Sequence, residues 1–204
     1  MSVKSLMLSI AIASTAFFAV AEESVTPNGL EYCTVCHGSQ LKGNANIGAP
    51  RLSGLPQWYI ERQLLNFKSG LRGNHVEDLR GAEMRPMVVN LSEQELIAIA
   101  AWVAKTESAL PLPSLNGDIA AGKSLYQSCA ACHGPKGEGN EVLGAPKLTG
   151  LNDWYLATQL NHFRLNLRGD HKDDPYGQQM KAGSVVITSE EDAVNLASYI
   201  TQLN

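Results

Sequence analysis

Residues 33–37 read Cys-Thr-Val-Cys-His, and residues 129–133 read Cys-Ala-Ala-Cys-His. The two segments hold all four cysteines of the 204-residue chain. Shifting the sequence by 96 positions superimposes residues 33–84 on 129–180 without a gap, with 24 identities in 52 positions. Chance would give roughly three identities at ordinary residue frequencies. The chain therefore contains a duplicated unit, and two long copies do not make a solenoid.

The duplication predicts how the chain divides. The stretch from Ser108 to Gly117 has two prolines, one glycine and no helical period, which is typical of a linker. We call residues 22–107 the first repeat and residues 118–204 the second repeat, and we predict that each forms a domain. Because the linker, residues 108–117, is short, the two domains are expected to lie against each other.

The first 21 residues differ from the rest of the chain. Lys4 is their only charged residue, an apolar run extends from Leu6 to Val20, and Ala19-Val20-Ala21 has the small-x-small pattern of a signal peptidase site. We predict a secretory signal over residues 1–21 and a periplasmic location. The alternative is an uncleaved anchor that keeps the protein at the membrane, because the run approaches the roughly 20 residues that cross a bilayer.

The composition is ordinary for a soluble globular protein, with 44% hydrophobic and 18% charged residues. Without Lys4 the chain has 15 basic and 20 acidic residues, a net charge of −5. The first repeat has 8 basic and 10 acidic residues, and the second has 7 and 10. Neither repeat is basic, which argues against a nucleic-acid partner.

Apolar residues in each repeat recur with a helical period, and no stretch alternates with period two. One apolar stripe has the spacing i, i+4, i+7, i+11, and the second repeat reproduces it. The stripe residues are Ile60, Leu64, Phe67 and Leu71, and then Leu156, Leu160, Phe163 and Leu167. Further helices are expected over residues 96–103, 118–128 and 193–203. The predicted fold is all-α, with two tandem domains of a few helices each.

Several helix starts can be predicted from capping residues. Pro56 suits a first helical position, and Asn152 or Asp153 suits an N-cap. Ser92-x-x-Glu95 and Thr188-x-x-Glu191 have the pattern of capping boxes.

The Cys-x-x-Cys-His segments predict covalent haem. Two thiols three positions apart on a helical turn can each form a thioether with one vinyl group of the porphyrin, and the next histidine then binds the iron. A thioredoxin-type redox pair would lie beside a βαβ pattern, which is missing, and a zinc site would need both cysteine pairs together. We therefore predict two haem c groups, with His37 and His133 as iron ligands. The attachment residues are Cys33, Cys36, Cys129 and Cys132.

The second axial ligand is predicted to be a methionine in each repeat. Met84 and Met180 occupy equivalent positions, and a thioether sulfur raises the haem potential. Met87 competes in the first repeat because it lies three residues from Met84. His75 and its counterpart His171 compete as well, since imidazole also binds haem iron.

At this point the chain resembles class I cytochrome c domains in tandem, and most of all the dihaem cytochrome c4 group. The resemblance implies small all-α domains, Met84 and Met180 as distal ligands, and Pro50 and Pro146 packed near the proximal histidines. It also implies electron relay from a quinol-oxidising complex to a terminal oxidase or reductase. The chain departs from the family before Cys33, where a clear N-terminal helix is missing.

Other repeated residues suggest roles around the haems. Arg72 and Arg168 could pair with haem propionates, or could be solvated surface residues. Trp58 and Trp154, with the tyrosines that follow them, are expected in the core and the haem-pocket walls. His162 has no histidine counterpart, and the sequence assigns it no role.

These residues predict an electron-transfer protein with redox proteins as partners, which is not itself an enzyme. The alternative is a dihaem enzyme, such as a peroxidase or a sulfur-compound oxidase, with one iron position open. A third interpretation is the cytochrome subunit of a dehydrogenase or oxidase complex.

Overall fold

The computed structural model describes residues 29–203, so the predicted signal segment lies outside the described residues. Within this range the chain forms eight α-helices, four short 3₁₀ helices and no strand. Two isolated bridges, Asn44 with Ala49 and Asn140 with Ala145, are the only β-type pairings there. The predicted all-α fold is confirmed.

Each repeat contributes four helices. In the first repeat they are α1 (Glu31–His37), α2 (Gln57–Ser69), α3 (Leu79–Val88) and α4 (Glu93–Lys105). In the second repeat they are α5 (Ile119–His133), α6 (Asp153–Arg164), α7 (Pro175–Gly183) and α8 (Glu190–Ile200). The 3₁₀ helices are Ser39–Leu41, Ala45–Ile47, Ser184–Val186 and Thr201–Leu203.

The observed helix starts agree only in part with those predicted from the sequence. The Ser92–Glu95 capping box is present. In the second repeat the box lies one residue later than predicted, between Ser189 and Asp192, because Ser189 is the structural equivalent of Ser92. The prediction for Thr188 and Glu191 was therefore wrong, although the Thr188 hydroxyl also donates to Asp192.

Of the two further start predictions, the one for Pro56 was wrong and the one for Asn152 is confirmed in position. Pro56 is the N-cap of α2 and precedes its first helical residue. Asn152 is the N-cap of α6 but makes no capping hydrogen bond with its side chain. The carboxylate of Asp153, the first residue of α6, accepts hydrogen bonds from the linker instead, at Ser114 and Leu115.

The linker has no regular secondary structure, and it is attached at both ends. Arg51 of the first repeat donates to the Ser108 carbonyl at 2.8 Å and to the Gly150 carbonyl of the second repeat at 3.1 Å. At the far end, the Ser114 hydroxyl donates to Asp153 at 2.6 Å. The expected contact between the repeats is present, and the linker is part of it.

One buried apolar cluster runs through both repeats. It includes Ile60 and Val103 from the first repeat and Leu156 and Leu196 from the second, each at most 7% exposed. The last residue of each predicted stripe lies beyond the end of its helix, Leu71 after α2 and Leu167 after α6. The two repeats thus fold on a shared core.

The entry helices of the repeats differ. The second, α5, has 15 residues and is capped by Asp118, whose side chain accepts from two backbone N–H groups. The first, α1, has seven residues and no side-chain cap. Gly122 of α5 crosses α8, where a Cβ atom would collide with the backbone carbonyl of Asn195. The predicted contrast between a clear helix before Cys129 and a weak one before Cys33 is confirmed.

Between residues 29 and 203 no single helix is both long and apolar enough to span a membrane; only α3 and α4 taken together, bent by 117°, meet that test by length and composition.

Candidate functional sites

The two histidines of the Cys-x-x-Cys-His segments have the same environment. His37 ends α1, His133 ends α5, and each is 6% exposed. The Nδ1 atom of His37 lies 2.7 Å from the Pro50 carbonyl oxygen, and that of His133 lies 2.8 Å from the Pro146 carbonyl. A carbonyl oxygen can only accept, so Nδ1 carries the hydrogen and Nε2 keeps its lone pair. This tautomer leaves Nε2 free to bind a metal.

Burial also affects the charge of these rings. Removal from water lowers the pKa of His37, and it lowers the pKa of His133 in the same way. The neutral imidazole that this favours is the form that binds iron.

The loop after each segment brings the proline back to the histidine. The backbone N–H of Gly43 donates to the His37 carbonyl at 2.8 Å, and that of Gly139 donates to His133 at 2.8 Å. Gly43 has φ +89°, and a Cβ atom there would lie 2.6 Å from the backbone nitrogen of Arg51. Only glycine fits this left-handed position, which therefore fixes the loop.

All four thiols are free, so the segments do not form disulfides. Cys33, Cys129 and Cys132 are partly buried, and Cys36 is exposed. Burial raises the pKa of the Cys33 and Cys129 thiols. In the described part of the chain, no three or more His, Cys, Asp or Glu residues come together as a metal-binding group.

A large cavity lies beside the second segment. It encloses about 1160 Å³ of empty volume, part of it open to solvent. Cys129, Cys132, His133 and Pro146 contribute to its wall, and Met180 of α7 lines it too. The remaining wall is mainly apolar, as expected for a cofactor pocket. Its apolar lining includes Leu148, Leu151, Leu156, Leu160 and Phe163. The thiols, imidazole and thioether that haem c requires are therefore brought to one cavity.

The competing axial ligands differ in their positions. Met84 is partly buried against Phe67, whereas Met87 is 45% exposed. The Nδ1 atom of His75 accepts from the backbone N–H of Glu77 at 3.2 Å, in an exposed turn. His171 makes the equivalent contact in the second repeat, with the backbone N–H of Asp173. These positions favour the methionines over the histidines.

The two repeated arginines meet at the contact between the repeats. Arg72 donates to Gln63 of its own repeat at 2.8 Å, and to Tyr155 at 2.9 Å and Gln159 at 3.1 Å across the contact. Each of these acceptors has an identical residue at the equivalent position of the other repeat. The network is therefore expected to be two-fold symmetric.

Arg168 makes the mirror-image set of hydrogen bonds. It donates to Gln159 of its own repeat at 2.6 Å, and to Tyr59 at 3.3 Å and Gln63 at 2.8 Å across the contact. Each guanidinium also lies over a phenylalanine ring, Arg72 over Phe67 at 4.5 Å and Arg168 over Phe163 at 4.7 Å. Neither arginine is therefore a solvated surface residue.

Both arginines donate hydrogen bonds only to neutral Gln and Tyr oxygens, and the Asp174 carboxylate acts on Arg168 only at a distance. Among residues 29–203, Arg72 and Arg168 form no ion pair with a carboxylate, although Arg72 is only 9% exposed. The Nε atom of Arg72 is buried without a hydrogen-bond partner. Buried cations are costly unless anions compensate them. Arg168 lines the cavity, so haem propionates fit this end of it.

The repeated aromatic pairs lie close to the cavity. Trp58 packs edge to face on Tyr59 with ring centroids 5.8 Å apart, and Trp154 packs on Tyr155 at 6.1 Å. Both tyrosines line the cavity of the second repeat, whereas neither tryptophan is part of its lining.

Sequence reasoning missed the residues that join the two repeats. Gln63 and Gln159 accept from both arginines, and their identity in the repeat was the available signal. Arg62 also lines the cavity of the second repeat. Repeat identity could not reveal it, because Thr158 occupies the equivalent position.

Comparison with known proteins gives the class of the molecule. The sequence matches the Cytochrome c family model twice, over residues 30–107 and 119–204. Cytochrome c4 from Azotobacter vinelandii is 30% identical over 186 residues, which cover 84% of this chain and 84% of that protein. The thiosulfate dehydrogenase electron acceptor of Stutzerimonas stutzeri (strain A1501) is 31% identical over 188 residues, covering 84% of this chain and 78% of that protein.

A solved structure agrees with these relatives. Reduced recombinant cytochrome c4 from Pseudomonas stutzeri superposes with a TM-score of 0.66 at 29% identity, covering 86% of this chain and 95% of that chain. The chain therefore belongs to the cytochrome c family. Within it, the two tandem domains make it a dihaem cytochrome of the cytochrome c4 type, with two covalently bound haem c groups. The predictions of family, fold and cofactor are confirmed.

Proposed function

We propose that the protein is a periplasmic electron carrier, which accepts electrons from a quinol-oxidising complex and delivers them to a terminal oxidase or reductase. The observation that carries this proposal is the cavity of the second repeat, whose wall is lined by two thiols, an imidazole and a methionine. Export is supported by the predicted signal and by the likeness to cytochromes c4. The protein is then not itself an enzyme.

The proposed ligands follow from the repeat. The thiols of each Cys-x-x-Cys-His segment would hold one haem, the following histidine would bind its iron, and a methionine would supply the second iron ligand. The thioether positions are Cys33, Cys36, Cys129 and Cys132, and the axial ligands are His37, Met84, His133 and Met180. Bound haem c supplies reversible one-electron transfer between ferrous and ferric iron. Two protein ligands on each iron would leave no position there for a substrate.

The residues of the chain have definite tasks in this function. The Pro50 and Pro146 carbonyls hold the histidine rings in the metal-binding tautomer. The apolar wall excludes water, which limits reorganisation when the charge of the iron changes. Trp58 and Trp154 support the tyrosines at the cavity rim.

Arg72 and Arg168 bind the haem propionates in this proposal. Both guanidiniums meet neutral Gln and Tyr oxygens, and a carboxylate from each haem would compensate their charge. Because each arginine crosses to the other repeat, the propionate ends of both haems would lie at the contact, which shortens the path between them.

A second candidate differs only in the electron donor. The thiosulfate dehydrogenase electron acceptor of Stutzerimonas stutzeri is as similar in sequence as the cytochromes c4. In that case a thiosulfate dehydrogenase would reduce this protein.

The first test is the mass and spectrum of the exported protein. We expect the added mass of two haems and a ferric absorption band for methionine–iron coordination from both. One high-spin haem with peroxidase or thiosulfate-oxidising turnover would contradict the carrier and support an enzyme. Rapid mixing with a quinol-oxidising complex and, separately, with a thiosulfate dehydrogenase would identify the donor by the faster reduction.

A further inference from the structure

The two repeats differ in one partly buried charge near the haem-binding segments. Arg62 lies on α2 of the first repeat, but its side chain lines the cavity of the second repeat. Thr158 occupies the equivalent position in the second repeat, so the first pocket receives no matching arginine. The duplication is therefore broken at a residue that one repeat contributes to the pocket of the other.

Arg62 is held in place by the second repeat. One Nη atom donates to the Gly144 carbonyl at 2.7 Å. Its guanidinium carbon lies 4.2 Å from the ring centroid of Tyr176 and 5.0 Å from that of Trp58. Gly144 allows this approach, because a Cβ atom there would lie 2.8 Å from Nη1 of Arg62 and collide with the Tyr176 ring. The cation thus packs between two aromatic rings at the cavity wall.

The charge of Arg62 is offset only at a distance, by the Asp174 carboxylate. Arg62 forms no ion pair within the described part of the chain, and its Nε atom is buried without a hydrogen-bond partner. Burial lowers the pKa of Arg62, but an arginine keeps its charge at physiological pH. Asp174 also lines this cavity, but its counterpart Asp78 is equally buried in the first repeat, so the aspartates do not distinguish the pockets.

The first repeat has an arginine where the second has Tyr176. This residue, Arg80, is exposed and pairs with Glu83 at 2.9 Å. Water and the neighbouring carboxylate screen its charge. Arg62 is therefore a partly buried cation at the cavity of the second repeat, whereas Arg80, which packs over Gly48 in the first repeat, is exposed and ion-paired.

We propose that the charge of Arg62 raises the reduction potential of the haem in the second repeat relative to that in the first. Ferric haem carries one more positive charge than ferrous haem, and a cation in a weakly polar wall disfavours the ferric state. Electrons that enter through the first repeat would then collect in the second. This inference rests on the proposed haem attachment at Cys129 and Cys132.

The test is a redox titration of the full-length, two-haem protein and its variants. Arg62→Gln removes the charge, Arg62→Lys keeps it, and Arg80→Gln is a matched control with the same change in net charge. We expect Arg62→Gln to lower the ratio of reduced to oxidised second haem, at fixed potential, about threefold to tenfold. Arg62→Lys should stay near the parent ratio, and Arg80→Gln should change either ratio by less than about twofold.

The two haems are distinguished in these titrations by the paramagnetically shifted methyl signal of the axial methionine, which a Met180→Leu variant removes from the second haem. Equal shifts of both haems, no shift of either, or a Lys variant that falls as far as the Gln variant would overturn the proposal. Mass measurement distinguishes failure of the role of Arg62 from failure of the proposed function. Two haems with unshifted potentials contradict the role of Arg62 alone, whereas missing haem contradicts the proposed function.

Discussion

The two repeats keep the residues that would hold the haems and vary the residues around them. The His37–Pro50 and His133–Pro146 hydrogen bonds differ by only 0.1 Å, at 2.7 and 2.8 Å. Two of the differences fall at the contact between the repeats, where Arg62 has Thr158 as its equivalent and His162 has Asn66. Duplication thus preserved the cofactor chemistry, while the contact surface was free to make the two sites unequal.

In the first repeat a buried leucine compensates for the shorter entry helix. In the second repeat Tyr126 of α5 is buried, and a Cβ atom at Gly137 would lie 3.4 Å from its hydroxyl. The first repeat has Leu30 in place of Tyr126, and a fully buried Leu41 in place of Gly137. Leu41 adopts φ +55°, which costs about 1–2 kcal/mol for a residue with a Cβ atom. Burying a leucine returns about 2 kcal/mol, so the exchange is close to balanced.

The largest expected effect concerns the axial methionines. Met84→Leu and Met180→Leu should each remove about half of the methionine–iron absorption band and lower one potential by roughly 0.2 V, a quarter of the range that axial ligands span. Leucine keeps the side-chain volume, so the fold should persist. Met87→Leu is the control and should leave the spectrum unchanged. If Met87→Leu removes the band and Met84→Leu does not, the first repeat uses Met87.

The second effect concerns the symmetry of the contact. Arg72→Ala and Arg168→Ala should each lower the free energy of unfolding by about 3 kcal/mol, because several buried acceptors lose their donor. Thermal unfolding of both variants should show similar losses, and the double variant should lose more than the sum, because Gln63 and Gln159 each keep one arginine donor in either single variant. The exposed control Arg80→Ala should change stability by less than about 0.5 kcal/mol. A large loss in one variant only would show that the contact is energetically one-sided.

A smaller effect concerns the helix crossing of the second repeat. Gly122→Ala should lower the free energy of unfolding by about 2 kcal/mol, because the added methyl group collides with Asn195. Gly183→Ala is a suitable control, since an added Cβ atom there meets no other atom within 4 Å. Thermal unfolding measures both variants. Equal stability of the two would mean that α5 and α8 can separate without loss.

The smallest effect is the pH dependence at His162. Its Nδ1 atom lies 3.5 Å from Asp78 of the first repeat, which favours the charged ring. Burial outweighs this, helped by Arg72 and Arg168, and lowers the pKa of His162. As pH falls below about 6.5, the unfolded chain takes up a proton that the folded chain refuses, so stability is lost with decreasing pH.

The matched variant is His162→Asn, which installs the residue that the first repeat has at position 66. We expect its melting temperature to fall less than that of the parent between pH 7.5 and pH 5. Parallel curves for parent and variant would contradict the burial of an uncharged ring. The exposed His75 and the partly exposed His171 are present in both proteins and cancel in this comparison.

Local rules explain where sequence reasoning succeeded. Helical period and capping residues predicted the elements, with the second capping box displaced by one residue because Thr188 and Ser189 are both good caps. The haem-attachment segments could be predicted because thioether geometry requires a fixed spacing of the cysteines within one helical turn. The distal ligand of the first repeat could not be predicted uniquely, since Met84 and Met87 lie on the same helix three residues apart.

The sequence by itself determined the duplication, the helical class and the haem-binding segments, because each depends on residues close together in the chain. Only the tertiary structure decided that Arg72 and Arg168 share acceptors from both repeats, and that Arg62 reaches the pocket of the other repeat. Those contacts join residues more than 80 positions apart. Their partners are set by how two folded surfaces meet, which no local pattern encodes.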